Sequence, residues 1–180
     1  MRKSIFLIPG ICLAITIGCT ESTKPAPVQI DLVGIIPGRS VVEVNSFPDS
    51  EPSPGWTNLI VGGFKLPCNH QYSDGKLSQM DCRIGGYWTD ESNEVIHNVL
   101  LKGFIKKFGP PQLMDTGEIN TAMGVKYTNS NALWIDQSGN TLSLIKYVGA
   151  VNKGSLTLNS AEYERLDKEA DLKAEKARKF

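Results

Sequence analysis

Cys68 and Cys82 flank the stretch Tyr72-Ser73-Asp74-Gly75-Lys76-Leu77, and this arrangement constrains the fold more than any other feature of the chain. An Asp-Gly between two segments able to extend is a hairpin signal. With Asp74-Gly75-Lys76 as the loop, Ser73 stands opposite Leu77, and counting outward sets Cys68 opposite Cys82. Directly opposed residues that do not exchange hydrogen bonds lie near the Cα separation a disulfide tolerates. The expected arms are residues 58–66 and 79–88. Each carries a Gly-Gly before an aromatic, Gly62-Gly63-Phe64 and Gly85-Gly86-Tyr87. Such pairs point to a bend, a bulge, or a place where another element packs closely on the backbone.

A structural disulfide needs an oxidising compartment. Arg2 and Lys3 precede an apolar run over residues 5–17, broken only by Pro9, Gly10 and Thr16. That is the layout of a secretory signal. The run is shorter than the roughly 20 residues that cross a bilayer as a helix, and Thr20, Glu21, Ser22 and Lys24 follow at once. Ile15-Thr16-Ile17-Gly18-Cys19 resembles the lipobox of bacterial lipoproteins, in which a small residue precedes a cysteine that takes a diacylglycerol thioether and becomes the acylated N-terminus. The resemblance implies removal of residues 1–18 and lipid attachment at Cys19. It also implies the periplasmic face of the outer membrane, since Thr20 is not the Asp that lipoprotein families use for inner-membrane retention. Three acyl chains exceed the two signals that stable anchoring requires. The same layout with an incidental cysteine would be an ordinary secretion signal. On the lipoprotein reading Cys12 is discarded, Cys19 takes the lipid, and Cys68 and Cys82 are left to pair. A zinc site needs more ligands than His70 and His97 add.

Residues 19–180 would form one domain of ordinary size. Without Arg2 and Lys3, 17 basic residues stand against 19 acidic ones. Such a balance supplies no basic footprint for nucleic acid and no polybasic surface for anionic lipid. The sequence holds no Gly-x-Ser-x-Gly, no phosphate loop, no His-Glu-x-x-His and no second Cys-His cluster. No metal, cofactor or catalytic residue is therefore expected.

Residues 19–30 read as a flexible polar tether carrying Pro25 and Pro27, and residues 31–158 as the body. Ser40 and Glu43 have capping-box spacing, so a short helix is expected there, stopped by Pro48, Pro52 and Pro54. The spacing predicts a long helix over 92–108, with Ile96, Val99, Leu100, Phe104 and Phe108 on one stripe. Glu91 and Glu94 favour its start, Lys106 and Lys107 its end, and Gly109-Pro110-Pro111 stops it. Strands are expected over 122–128, 133–136, 141–148 and 155–158, with turns at 129–131, 137–140 and 152–154. Alternation over 142–147 leaves their inward face open. Residues 159–180, six acidic and six basic among small apolar ones, read as a solvated charged helix. The fold class is thus α+β: an antiparallel sheet, made of a disulfide-stapled hairpin and a C-terminal meander, packed by one long and one short helix.

Among single residues, Trp56 in its loop is a candidate anchor for a partner, set against an indole folded over the sheet edge. His97, beside the helix stripe, fits a packed structural histidine better than a catalytic one. The lipobox with its tether and the stretch Gly38-Arg39-Ser40-Val41-Val42-Glu43-Val44 resemble the small outer-membrane lipoproteins of the SmpA/OmlA type, the BamE-like group. The order helix, hairpin, helix, meander is similar to the tandem helix-plus-sheet units of the beta-lactamase-inhibitor-like fold. Both resemblances imply a non-catalytic accessory that binds another envelope protein. The rival expectation is a periplasmic cell-wall hydrolase.

Overall fold

The computed structural model describes residues 27, 29–38, 51–53, 56–86, 89–120 and 124–178. Cys19, the signal region, most of the tether and the expected short helix from Ser40 lie outside them.

The strands are β1 (Glu51–Ser53), β2 (Trp56–Val61), β3 (Phe64–Ser73), β4 (Lys76–Ile84), β5 (Leu113–Asn120), β6 (Lys126–Ile135), β7 (Thr141–Ile145) and β8 (Gly154–Asn159). Helix α1 (Asn93–Phe108) joins β4 to β5, and helix α2 (Ala161–Arg178) follows β8. The sheet is eight-stranded in the order β1-β2-β3-β4-β8-β7-β6-β5. Two meanders thus meet at the antiparallel β4–β8 pair, where Cys82 faces Leu156 and Met80 faces Leu158. The fold is α+β, as the sequence indicates.

The stapled hairpin forms with a different tip. Asp74 and Gly75 alone make the turn, at φ 50° and 72°, and Ser73 faces Lys76. Positive φ at both central residues is the type I′ pattern whose twist suits a two-residue hairpin. A register shift between Gln71 and Tyr72 then restores the count, because Tyr72 faces Leu77 while Gln71 faces Gln79. Ser78 is the extra residue, and its hydroxyl donates to the Gln71 carbonyl at 3.0 Å. Cys68 therefore stands opposite Cys82, the two are bonded, and their Cα atoms are 3.9 Å apart.

The expected first arm is in fact a second hairpin. Gly62 and Gly63, at φ 60° and 87°, turn the chain between Val61 and Phe64. The two Gly-Gly pairs also seat α1. A Cβ on Gly62 would stand 2.8 Å from the Leu100 Cδ2, and one on Gly85 would stand 2.5 Å from the Asn93 Cβ. Close packing of another element is thus what these glycines permit.

Helix α1 begins where its sequence signals place it. The Ser92 side chain accepts from the Val95 N–H at 3.4 Å, and at the other end the Gly109 N–H donates to the Ile105 carbonyl. The buried stripe is Asn93, Ile96, His97, Leu100, Phe104 and Phe108. Val99, expected on that stripe, is 43% exposed. At about 100° per residue Val99 lies about 120° from the stripe's centre, which Asn93 and His97 pull to the other side.

Cross-strand partners share a face, and the register assigns Leu59, Leu66, Met80, Leu142, Leu144, Leu156 and Leu158 to the face beneath α1. This resolves the alternation over 142–147 in favour of Leu142 and Leu144. Trp134 lies edge-on to Phe104, with centroids 5.7 Å apart, and its indole N–H donates to the Gly109 carbonyl at 2.9 Å. The last turn of α1 is thereby fixed to β6.

A short N-terminal segment completes this layer. Leu32 and Ile35 exchange backbone hydrogen bonds across Val33-Gly34, and Ile30, Leu32 and Ile35 are at most 1% exposed. Burial of each such side chain contributes about 1.5–3 kcal/mol. Asp136 holds the segment in place: its carboxylate accepts from the backbone N–H of Ile30, Ser138 and Asn140 and from the Asn140 amide. The buried body therefore includes Ile30, the last residue of the stretch read as a tether.

The second meander departs from expectation in two places. Leu113–Asn120, outside every expected strand, is strand β5, and the expected turn at 129–131 lies inside the continuous strand β6. The Asn129 side-chain oxygen accepts from the Ser130 and Tyr147 N–H groups. Its turn-forming hydrogen bond is thus used where β7 ends, while β6 continues beside β5.

Candidate binding face

The two faces of the sheet differ in chemistry. Opposite the α1 layer, the register sets Asn69, Asp81, Thr157, Ser143 and Leu133 in one row across β3, β4, β8, β7 and β6. The neighbouring row is Asn58, Pro67, Arg83, Ser155, Ile145 and Asn131. Amides and hydroxyls dominate this open face, whose residues are half-buried among the described elements. The Thr157 hydroxyl donates to Asp81 at 2.9 Å, and the Ser143 hydroxyl to the Asn131 amide oxygen at 3.3 Å.

Trp56, the first residue of β2, alternates with buried Thr57 and so projects to the open face, where it is half-buried. The Arg83 guanidinium reaches across β3 and lies 4.4 Å from the indole centroid. Such a contact is worth about 0.5–1 kcal/mol where solvent has access. Trp56 is thus neither a loop residue nor folded over the sheet edge. No local spacing in the sequence marks Arg83, because its partner sits two strands away. Beside it, Asp81, Arg83, Lys153, Ser155 and Val148 line a shallow depression of about 330 Å³.

Helix α2 covers one rim of this face. The Ser160 side chain accepts from the Tyr163 N–H, and Glu164 accepts from the Thr141 hydroxyl at 2.7 Å and the Asn159 amide at 2.8 Å. No residue of α2 is buried, and every one of its residues after Glu164 is exposed.

The remaining sequence candidates lie on the core side. His97 is 1% exposed, and neither ring nitrogen has a hydrogen-bond partner. Burial pushes its imidazole below the usual histidine value. Glu94, one turn earlier, is bonded to Lys146 at 2.8 Å, and that ammonium holds its carboxyl below the usual range. His70 meets Tyr72 edge-on at 5.5 Å on the same side of β3 as Cys68, and burial lowers its imidazole too. Cys68 and Cys82 are both fully buried in the core cluster, so their bond supports the scaffold and presents nothing to a ligand. Among the described residues no three His, Cys, Asp or Glu side chains converge, and no helix is long and apolar enough to cross a membrane.

No protein family, curated protein or solved structure matches the chain.

Proposed function

We propose that this chain is a cell-envelope lipoprotein, anchored through Cys19, that serves as a non-catalytic binding accessory for another envelope protein. The observation that carries the binding half is the unequal treatment of the sheet. One face is sealed by α1 and the Ile30–Ile35 segment, while the other presents amides and hydroxyls around an indole that Arg83 holds in place. Aromatic and arginine side chains are the common anchors of protein interfaces, and a polar surround suits a partner that dissociates. The anchoring half rests on Arg2, Lys3, the apolar run and Gly18-Cys19, with Thr20 favouring the periplasmic side of the outer membrane. No catalytic residue or cofactor enters this reading.

Two measurements test it separately. Metabolic labelling with a fatty acid is expected to mark the wild-type chain and not Cys19→Ala; label on the variant sinks the anchor. The purified body is expected to turn over neither peptidoglycan nor esters, and turnover abolished by one polar substitution would replace the binding reading with the hydrolase.

A further inference from the structure

The sheet's two edges are unlike. At one end β1 is three residues long, contains Pro52 and is followed by Pro54. Short strands and prolines are the usual means of blunting an edge against further pairing. At the other end β5 runs eight residues without a proline, a lysine or an arginine. Among the described residues its outer edge has no strand partner, and Leu113 and Met114 are 53% and 50% exposed. A row of backbone donors and acceptors of this length is a template for one more strand.

We infer that β5 pairs with β5 of a second copy, antiparallel, about a twofold axis through Thr116. The strand's own sequence selects both the occupant and the register. A twofold axis perpendicular to the sheet keeps each face continuous. Every residue then meets one of the same alternation, and at the axis one residue faces its own copy. An axis at Asp115 or at Glu118 sets like charges against each other. One at Gly117 opposes Asp115 to Ile119 and carries Leu113 past Asn120. The axis at Thr116 alone sets Leu113 opposite Ile119 twice, Thr116 opposite Thr116, and Met114 opposite Glu118, while Asp115 directly faces the uncharged Gly117. Apolar pairs and Thr–Thr pairs are favourable cross-strand neighbours, and directly opposed like charges are not.

The β6 side of the strand is already satisfied, with Leu113 facing Leu133 and Asn120 facing Lys126. Only the outer edge remains for the second copy. The pairing leaves the open faces of both copies on the same side of one continuous sheet, so the dimer would present the binding face twice. It does not depend on that face having a partner.

The test uses the full chain, extracted from envelopes in mild detergent, with one cysteine added at the edge. Thr116→Cys is expected to crosslink to its own copy under mild oxidation. Met114→Cys and Glu118→Cys are expected to stay monomeric on a denaturing gel, because each meets the other's position and not its own. Wild type run beside them reports any crosslink through Cys19. Sedimentation of the wild type is expected to show a dimer. Leu113→Lys, on an exposed side chain that appears twice in the interface, is expected to weaken it about ten-fold or more. Wild type that sediments as a monomer at every concentration, with no Thr116→Cys crosslink, overturns the inference. A dimer that forms while Thr116→Cys stays uncrosslinked also overturns it, because the contact then lies elsewhere.

Discussion

Replacing His97 with leucine tests the packing under α1 and has an outcome that depends on pH. The imidazole is 1% exposed, both nitrogens lack partners, and burial lowers its proton affinity in the fold. The unfolded chain protonates this group near 6.5, whereas the folded chain keeps it neutral to lower pH. Below that value the unfolded state takes up a proton that the folded state refuses, so stability falls as pH falls. A histidine that stays neutral in the fold costs up to about 1.4 kcal/mol between about pH 7.5 and 5.5, the limiting value for one proton over one pH unit. His70, lowered by the same cause, adds a share of its own. Glu94 does not intrude: its carboxyl is held low by Lys146, so its stabilisation is lost only as pH falls below its unfolded value of 4.5. In the Leu variant the His97 share disappears. At pH 7.5 the variant is also expected to match the wild type or exceed it by about 1 kcal/mol, because an unpaired buried N–H costs about 1–3 kcal/mol and leucine carries none. Urea unfolding at the two pH values, followed by tryptophan fluorescence, measures both effects. A variant that loses as much stability as the wild type on acidification refutes the reasoning, as does one destabilised by more than about 2 kcal/mol at pH 7.5.

Replacing Cys68 and Cys82 together by Ala removes a crosslink spanning 14 residues and is expected to lower unfolding free energy by about 2–4 kcal/mol in the same assay. Gly85→Ala places a methyl 2.5 Å from the Asn93 Cβ at φ 76°, and is expected to cost about 3 kcal/mol and to displace the start of α1. Gly63→Ala, at φ 87° but with open space around it, is expected to cost only about 1 kcal/mol; equal losses at the two sites would show that close packing plays no part. Asp136→Ala removes four hydrogen bonds at the junction with Ile30 and is expected to cost about 3 kcal/mol. The same change is expected to open the N-terminal segment to protease near Asp31, and unaltered digestion there would count against Asp136 as its anchor.

Helix α1 was legible because every signal agreed: Ser92 before it, acidic and basic residues at the matching ends, and Gly109 after it. The opposition of Cys68 and Cys82 was legible through two departures that cancelled. The turn is one residue shorter than expected, and the bulge at Ser78 puts that residue back. Strand β5 carried no readable pattern, since on an edge strand with seven of eight residues exposed nothing selects for alternation. Asn129-Ser130-Asn131 carried a misleading one, because the turn propensity of Asn is a side-chain hydrogen bond that β6 satisfies without turning. The Ile30–Ile35 segment is too short to show a period, and its place in the core rests on contacts far away in sequence, such as the one with Asp136. Asp136 was recoverable: Asp136-Gln137-Ser138-Gly139-Asn140 is a turn in which an aspartate at the first position caps the N–H groups that follow. The stacking of Arg83 on Trp56 was not, because it follows from the register of three strands.

The open face is most directly tested by photocrosslinking in intact envelopes, with a photoreactive side chain placed in turn at Asn69 and Thr157 on that face and at Val95 and Val99 on the outward side of α1. The account predicts an adduct with one and the same envelope protein from Asn69 and Thr157, lost when Trp56→Ala is added, and no such adduct from Val95 or Val99. Adducts from the α1 positions with none from the sheet, or sheet adducts that survive loss of the indole, would contradict it.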